Sequence, residues 1–373
     1  MDFLNLKTEA FGLDISDFSL KIIKLKKKGS FFRLASFGEQ KIKAGIIKEG
    51  EIKKKEALVE IVKEALSKIQ GEKIKTKYAV VSLPEEKAFL QIIQMPLMAE
   101  EYLKSAVIFE AENYIPLPIE KVYLDYEIMP QSSDSKDHLD ILLAALPRDI
   151  IDPYVFCLKE AGLKILALEI ESLSIARALI KNGKNDQPVF LIDLGASRTS
   201  FIAFDGCVKF TSSIPVSGRH FTQLIARNLG VGEAQAENLK LKYGLGGKPF
   251  GQAQTGQKGK IFEALIPALV DLIQQVKKHL DFYQTHDLRK EQILKAGALT
   301  KVLICGGGAN LKGLTDLLFS ELKIPVEISN PWINILPENQ KETPQMSRED
   351  SLRYATALGL ALRGVFYSKK LNR

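Results

Sequence analysis

Two short turns, far apart in the chain, carry the residue types that handle phosphate and a divalent cation. In Phe11-Gly12-Leu13-Asp14-Ile15-Ser16-Asp17-Phe18-Ser19-Leu20-Lys21 an apolar strand reaches Asp14, a turn bearing Ser16 follows, and a second strand returns. Phe190-Leu191-Ile192-Asp193-Leu194-Gly195-Ala196-Ser197-Arg198-Thr199 repeats that order with Asp193 and Gly195. A carboxylate at the tip of a strand holds Mg2+, usually through water, while the N–H groups of a small-residue turn face one concavity and bind phosphate oxygens. Lys21 lies on the returning strand, where its ammonium reaches the same phosphates. Taken singly, each turn reads equally well as an ordinary connection.

A third segment is Ile304-Cys305-Gly306-Gly307-Gly308-Ala309-Asn310-Leu311. Consecutive glycines between a strand and a helix let a ligand approach the backbone with no Cβ in the way, and the helix N-terminus adds donors. The competing reading is a tight strand-to-helix connection. The triplet stands near the C-terminus with no fingerprint on a first strand, which disfavours Rossmann-type dinucleotide binding, and it does not have the form of a P-loop.

These turns require elements to position them. Residues 11–25 align with 190–204 at one constant offset of 179 without gaps, and each copy reads as strand, Asp-bearing turn and returning strand. Two such copies predict a duplicated α/β domain with a cleft between the halves. Apolar spacing predicts helices over 56–70, 99–113, 149–161 and 171–181, and strands over 78–83, 89–93, 122–129, 139–146 and 164–169. Farther on it predicts helices over 220–229, 233–242, 260–289, 311–322 and 348–366, with a strand at 301–304. Pro267 is a candidate break in the long helix, and 131–137 and 244–259 read as polar loops. Residues 86–150 have an α+β pattern of their own and read as an insertion in the first half.

Composition removes other classes. A chain of 373 residues with 46% hydrophobic and 26% charged residues is neither disordered nor fibrous. No apolar run approaches the roughly 18 to 20 residues that span a bilayer, and the N-terminus has no secretory pattern, which predicts a cytoplasmic protein. Cys157, Cys207 and Cys305 stand apart in apolar runs and read as buried thiols, and the four histidines have no metal-ligand spacing. The net charge of +7 lies wholly in residues 1–80, which hold 18 basic and 11 acidic residues. Lysine runs at 26–28 and 53–55 lack the aromatic and Arg interleaving of nucleic-acid sites and read as a solvated face.

The order of Asp14 turn, Asp193 turn and glycine triplet resembles the actin/Hsp70/sugar-kinase superfamily. Ala236-Glu237-Asn238-Leu239-Lys240 is similar to the adenosine-side helix of the FtsA cell-division proteins. Met95-Pro96, Phe109-Glu110-Ala111-Glu112-Asn113-Tyr114-Ile115-Pro116, Leu124-Asp125-Tyr126 and Ala161-Gly162-Leu163 resemble the type IV pilus assembly PilM family over essentially the whole chain. The resemblance implies duplicated actin-like (ribonuclease H-like) domains flanking a nucleotide cleft, with a small α+β subdomain inserted in the first half. It places the first actin-like domain at 1–85 and 151–187, the insert at 86–150, the second domain at 188–225 and 298–373, and a further subdomain at 226–297. It implies ATP with Mg2+, the metal beside Asp14 and Asp193. The cofactor set it implies is Asp14, Ser16, Ser19, Lys21, Asp193, Gly195, Arg198, Thr199, Gly218, Glu237, Lys240, Gly306, Gly307, Gly308 and Asn310. Glu171 takes the place of a catalytic acid. The pattern carries Gly where Ser16 stands, and the charge of Asp17 suits phosphate only where it points away.

The function implied is a nucleotide-responsive scaffold at the inner face of the inner membrane. Its partner is the cytoplasmic N-terminal segment of a bitopic, PilN-like membrane protein, gripped between the first domain and the insert. Met95, Met98, Phe109, Tyr114 and Ile115 are the groove candidates there, each with core packing as its alternative. A true actin-like ATPase or a polymer-forming FtsA-like protein is the alternative function, with hydrolysis slow at most. A third, accessory reading binds nucleic acid or membrane through the N-terminal lysines.

Overall fold

AFGLDI leaves no polar face to solvent except through Asp14, and in the computed structural model all six of these residues are buried in β1 (Ala10–Ile15). The structure describes residues 9–129, 137–185, 187–245, 256–286, 301–337 and 345–370. Contacts divide the chain into two units, one of residues 1–177, 206–210 and 356–373, the other of 178–205 and 211–355.

In the first unit β1 is followed by β2 (Ser19–Lys28), β3 (Phe31–Lys41), the two-residue hairpin strands β4 (Ile47–Lys48) and β5 (Glu51–Ile52), α1 (Lys55–Ser67), β6 (Gln70–Gly71) and β7 (Tyr78–Leu83). After β7 come β8 (Phe89–Pro96), α2 (Glu100–Ala111), β9 (Val122–Ile128), β10 (His138–Pro147), α3 (Arg148–Glu160), β11 (Lys164–Ile170) and α4 (Glu171–Leu179). The main sheet has the order β11-β7-β1-β2-β3-β6, with β1 parallel to β7 and antiparallel to β2. Leu13, Ile15, Leu20 and Ile22 pack with Leu58 and Val62 of α1 and with Tyr154 and Leu158 of α3 in one core.

Residues 89–147 make a separate three-stranded sheet, β8-β10-β9. Alternation along β8 sends Ile93 and Met95 to one face, where Leu103, Val107 and Ala111 of α2 cover them. Those three helix positions are four apart, so one stripe of α2 is buried. A second apolar cluster joins Leu90 and Ala144 of this sheet to Leu83, Ile151 and Ile170 of the main body.

In the second unit β12 (Val189–Leu194), β13 (Thr199–Asp205) and β14 (Cys207–Ile214) lead to α5 (Gly218–Leu229), α6 (Glu233–Tyr243) and α7 (Gly256–His286), the last running through Pro267. Then follow β15 (Lys301–Cys305), α8 (Leu314–Leu322), β16 (Val326–Ile328) and α9 (Arg348–Leu352), after which α10 (Ala355–Lys370) returns, from Thr356 on, to the first unit. The sheet order is β14-β13-β12-β15-β16. This repeats β3-β2-β1-β7-β11 strand for strand, with the same antiparallel meander and the same parallel neighbours. The bounds of β1 and β12 differ by the 179 residues of the sequence offset. The fold is therefore a duplicated α/β domain.

Two helices differ from expectation. The helix expected at 311–322 starts at Leu314: a 3-10 turn over Gly307–Asn310 ends at Leu311, and Gly313, left-handed at φ 85, stands as the N-cap of the helix. The expected final helix is two: Ser347 caps α9, accepting from Asp350 N at 3.0 Å, and α10 begins anew at Ala355. α10 lies on β1 at such close range that a Cβ on Gly12 would strike the backbone of Ala357 and Ala361. Residues 131–136, residues 246–255 of the expected loop 244–259 and the last residues of the expected 260–289 helix lie outside the described residues, while 256–259, expected as loop, belong to α7.

Candidate functional site

Asp14 faces Lys21 across the β1–β2 ladder and is buried. Its carboxylate is held from both sides. Ser82 Oγ, near the end of β7, donates to Oδ1 at 3.0 Å and accepts Ile15 N at 2.9 Å. Lys21 Nζ stands 3.5 Å from Oδ2 and 2.8 Å from Ser19 Oγ. Ser16 closes the turn, its N–H going to Ser19 O at 2.9 Å and its hydroxyl lying 3.1 Å from that of Ser19. The fold thus joins Asp14, Ser16, Ser19 and Lys21 into one connected group. Asp17 has other partners: its two carboxylate oxygens accept the N–H groups of Glu49 and Gly50, each at 3.0 Å. The extra negative charge of the turn is thereby bound by amide donors of another loop.

Glu171 opens α4, where its charge favours the helix dipole. The next residue donates its N–H to Glu85 Oε2 at 3.0 Å, so the segment after β7 fixes this helix end. The buried Tyr154 hydroxyl donates to Gly50 O at 2.8 Å. Burial, then the charges of Glu171, Asp17 and Asp14, push its ionisation far above the ordinary tyrosine range.

Asp193 occupies the equivalent place on β12, between Ser200 of β13 and Cys305 of β15. Cys305 Sγ donates to its Oδ1 at 3.6 Å. Burial, with the Asp193 charge behind it, holds the Cys305 thiol well above its usual range. Backbone bonds build the rest of this corner. Gly195 N donates to Arg198 O at 2.9 Å, Gly218 N donates to Gly195 O at 2.9 Å, and Thr199 Oγ1 donates to Val216 O at 2.7 Å. Ser217 caps α5 by accepting from His220 N.

Lys240 on α6 reaches the same corner. Its ammonium donates to Gly218 O and Thr222 Oγ1, both at 2.8 Å, and pairs with Glu237 at 2.7 Å. Those contacts match its three donors, so Lys240 ties α6 to the first turn of α5, while Glu237 keeps 43% of its side chain exposed.

The three glycines divide their work. A Cβ on Gly306, which has φ 80, would run into the Asp193 carboxylate and the Leu194 carbonyl, and one on Gly308 into the Leu194 side chain. Both serve close packing on the end of β12. At Gly307 the nearest atom would be Arg353 Cβ at 3.9 Å, so this is the glycine whose backbone is open to approach. Asn310 donates its side-chain amide to Glu349 O at 3.0 Å.

Of the groove candidates, Met95 and Ile115 lie in the core of the insert and Met98 packs against it. Tyr114 is exposed, and Phe109 at 72% exposure points to solvent from the face of α2 opposite its buried stripe. The sequence reading missed Ser82 and Cys305 as holders of the two carboxylates. The signal available was a small polar residue near the end of each buried parallel strand, in YAVVSL and KVLIC.

Among the described residues no group of three or more His, Cys, Asp or Glu is placed to hold a metal ion. No helix among them is long and apolar enough to cross a membrane.

Comparison with known proteins places this geometry. The family model of the type IV pilus assembly protein PilM matches residues 12–365. The solved PilM-PilN type IV pilus biogenesis complex superposes with a TM-score of 0.79 at 27% identity, over 96% of this chain and 99% of that one. MreB 5 of Spiroplasma citri bound to AMPPNP gives a TM-score of 0.56 at 14% identity, over 97% of each chain, a likeness of fold. The cell division protein FtsA of Borreliella burgdorferi is 26% identical over 222 residues, 56% of this chain and 50% of that protein. FtsA of Pseudomonas aeruginosa is 24% identical over 186 residues, 47% of this chain and 44% of the relative. The chain spans about half the length of the FtsA proteins it matches. The two sheets are thus duplicated actin-like domains, and the chain belongs to the family of the type IV pilus assembly protein PilM.

Proposed function

We propose that this protein is a cytoplasmic, nucleotide-binding scaffold of type IV pilus assembly that grips the cytoplasmic N-terminal segment of a PilN-like inner-membrane protein. The observation that carries the reading is the likeness to the PilM-PilN complex across nearly the whole of both chains. The contact with the membrane is indirect, through that partner.

Asp14 and Asp193, each at the same place in its domain, are the carboxylates assigned to Mg2+, and the backbone at Gly307 is the approach for the nucleotide. The chemistry of Asp193 fits such a group: its carboxylate is only half-buried, and Mg2+ keeps one or two carboxylates and completes its shell with phosphate oxygens and water. ATP supplies the phosphate charge that distinguishes a loaded from an empty scaffold. Lys21 is positioned to meet that charge, and Glu171 to orient water, with turnover slow at most. The insert, taken as 86–150, and the first domain form the partner groove; an extended peptide binds such a groove by apolar anchors and backbone hydrogen bonds.

Calorimetric titration with Mg-ATP and with a peptide of the N-terminal segment of the PilN-type protein from the same genome tests this. Saturable binding of both is expected, with Asp193→Ala losing Mg-ATP and keeping the peptide. A wild-type protein that ignores the peptide would end the scaffold reading.

A further inference from the structure

The chain between β4 and β5 is a two-residue hairpin turn, Glu49-Gly50, with φ 51 and φ 74. Two successive left-handed residues define the type I′ turn. Gly adopts this geometry at no steric cost whereas Glu49 adopts it at a cost, which a contact from outside the turn must offset. Asp17 does so. Its carboxylate sits in the concavity made by the two successive N–H groups, accepting both. Asp17 itself belongs to the β1–β2 turn, three residues after Asp14 and next to Ser16.

The other side of the hairpin tip meets the chain where it enters and leaves the insert. A Cβ on Gly50 would lie 2.5 Å from Pro84 Cβ and 2.7 Å from Glu86 Oε1, so the segment from β7 to β8 rests directly on this glycine. Tyr154, two turns into the helix that follows β10, donates to Gly50 O. Glu85, between Pro84 and Glu86, caps the helix opened by Glu171. One strained turn therefore touches the Asp14 turn, the inbound connection of the insert and the helix that takes the chain out of it.

The duplicated topology supplies a control. At the 179-residue offset the counterpart of Asp17 is Ala196, which is exposed and has no carboxylate to offer. The second unit bears no insert at that place, and the clamp is found where the insert is.

We infer that Asp17 is a positioning residue that couples the nucleotide turn to the partner groove, using the Glu49–Gly50 hairpin tip as the relay. The inference rests on the proposed function, since it describes how that site is regulated. A ligand on the Asp14 turn that shifts Asp17 withdraws the acceptor from both hairpin amides. The relaxed tip then moves Pro84 and Tyr154, and with them the two hinges of the insert. Linkage makes the effect reciprocal: partner peptide must change nucleotide affinity by the factor by which nucleotide changes peptide affinity.

The experiment is a double titration of the full chain by calorimetry, with the PilN-type peptide in the absence and presence of saturating Mg-AMPPNP. In the wild type the peptide dissociation constant is expected to change about fivefold or more on adding nucleotide. Asp17→Asn keeps the size of the side chain but turns one acceptor into a donor that faces an amide. It is expected to bind each ligand alone and to bring the coupling factor close to one. Tyr154→Phe, which removes only the hydroxyl, serves as a second variant in case Asp17→Asn folds poorly, and is expected to lower the coupling factor as well. Wild-type coupling retained in both variants overturns the inference, as does a wild type that binds both ligands independently. A wild type that fails to bind nucleotide or peptide refutes the proposed function itself, and the relay with it, so the two failures are told apart in the first titration.

Discussion

The two Asp turns sit at one topological position and are held by different chemistry. Leu13 pairs with Val81 in the first domain as Ile192 pairs with Ile304 in the second, which makes Ser82 and Cys305 equivalent. Both donate to Oδ1 of their aspartate, the hydroxyl at 3.0 Å and the thiol at 3.6 Å. Across the other ladder, Lys21 faces Asp14 where Ser200 faces Asp193. The first carboxylate is therefore buried, paired with a cation and fixed by a good donor. The second is half-buried, has a weak thiol donor among its partners, and packs closely against Gly306. Holding a carboxylate by side chains gives a rigid electrostatic anchor. The glycine-packed carboxylate lies nearer to solvent than the one held by Ser82 and Lys21.

That contrast is open to attack at three levels. The largest effect belongs to Gly306→Ala, which drives a Cβ into Asp193 and Leu194 at a left-handed backbone position. A loss of about 3 kcal/mol in unfolding free energy is expected. A urea midpoint unchanged from wild type would show that packing does not hold the second carboxylate. Ser82→Ala comes next, at about 2 kcal/mol, because it leaves the buried Ile15 N–H and one Asp14 oxygen without that partner. Cys305→Ala removes a weak donor and a small volume, for about 1 kcal/mol. Equal costs at Ser82 and Cys305, measured in the same denaturant series, would erase the distinction drawn here.

The duplication was legible in the sequence because its signal is local. Two apolar strands, each reaching an Asp before a small-residue turn, need no knowledge of tertiary contacts, and their bounds agree with the structure at the 179-residue offset. Ser82 was not legible, since its role depends on a parallel neighbour 68 residues from Asp14 in sequence. The packing of the two outer glycines of the triplet on Leu194 was not legible, because sequence shows the missing Cβ but not what fills its place. Asp17 looked adverse to phosphate for the same reason: its charge was visible and its two amide partners were not. Met95 lies in the core of the insert because β8 alternates under α2.

The smallest effects concern the thiols, and they extend the comparison to pH. Burial pushes Cys157 in the first unit up to about 11, and Cys305 in the second stands well above its ordinary 9.0. A thiol is the neutral form, so a folded-state pKa above the unfolded one means that folding favours the protonated group. The stability from this source is complete below about pH 9 and is lost as pH rises through the raised folded values. Stability should therefore decline on the alkaline side, and Cys305→Ala should flatten that decline more than Cys157→Ala, since the Asp193 carboxylate adds to burial only at Cys305. Thiol labelling provides a second readout. At pH 8 the half-buried Cys207 should react first, while Cys157 and Cys305 wait for opening of their own units, because only the thiolate reacts and neither is ionised there. Rapid labelling of Cys305 in the folded protein would mean that the corner around Asp193 opens freely, and the packing argument for the second half-site would fall with it.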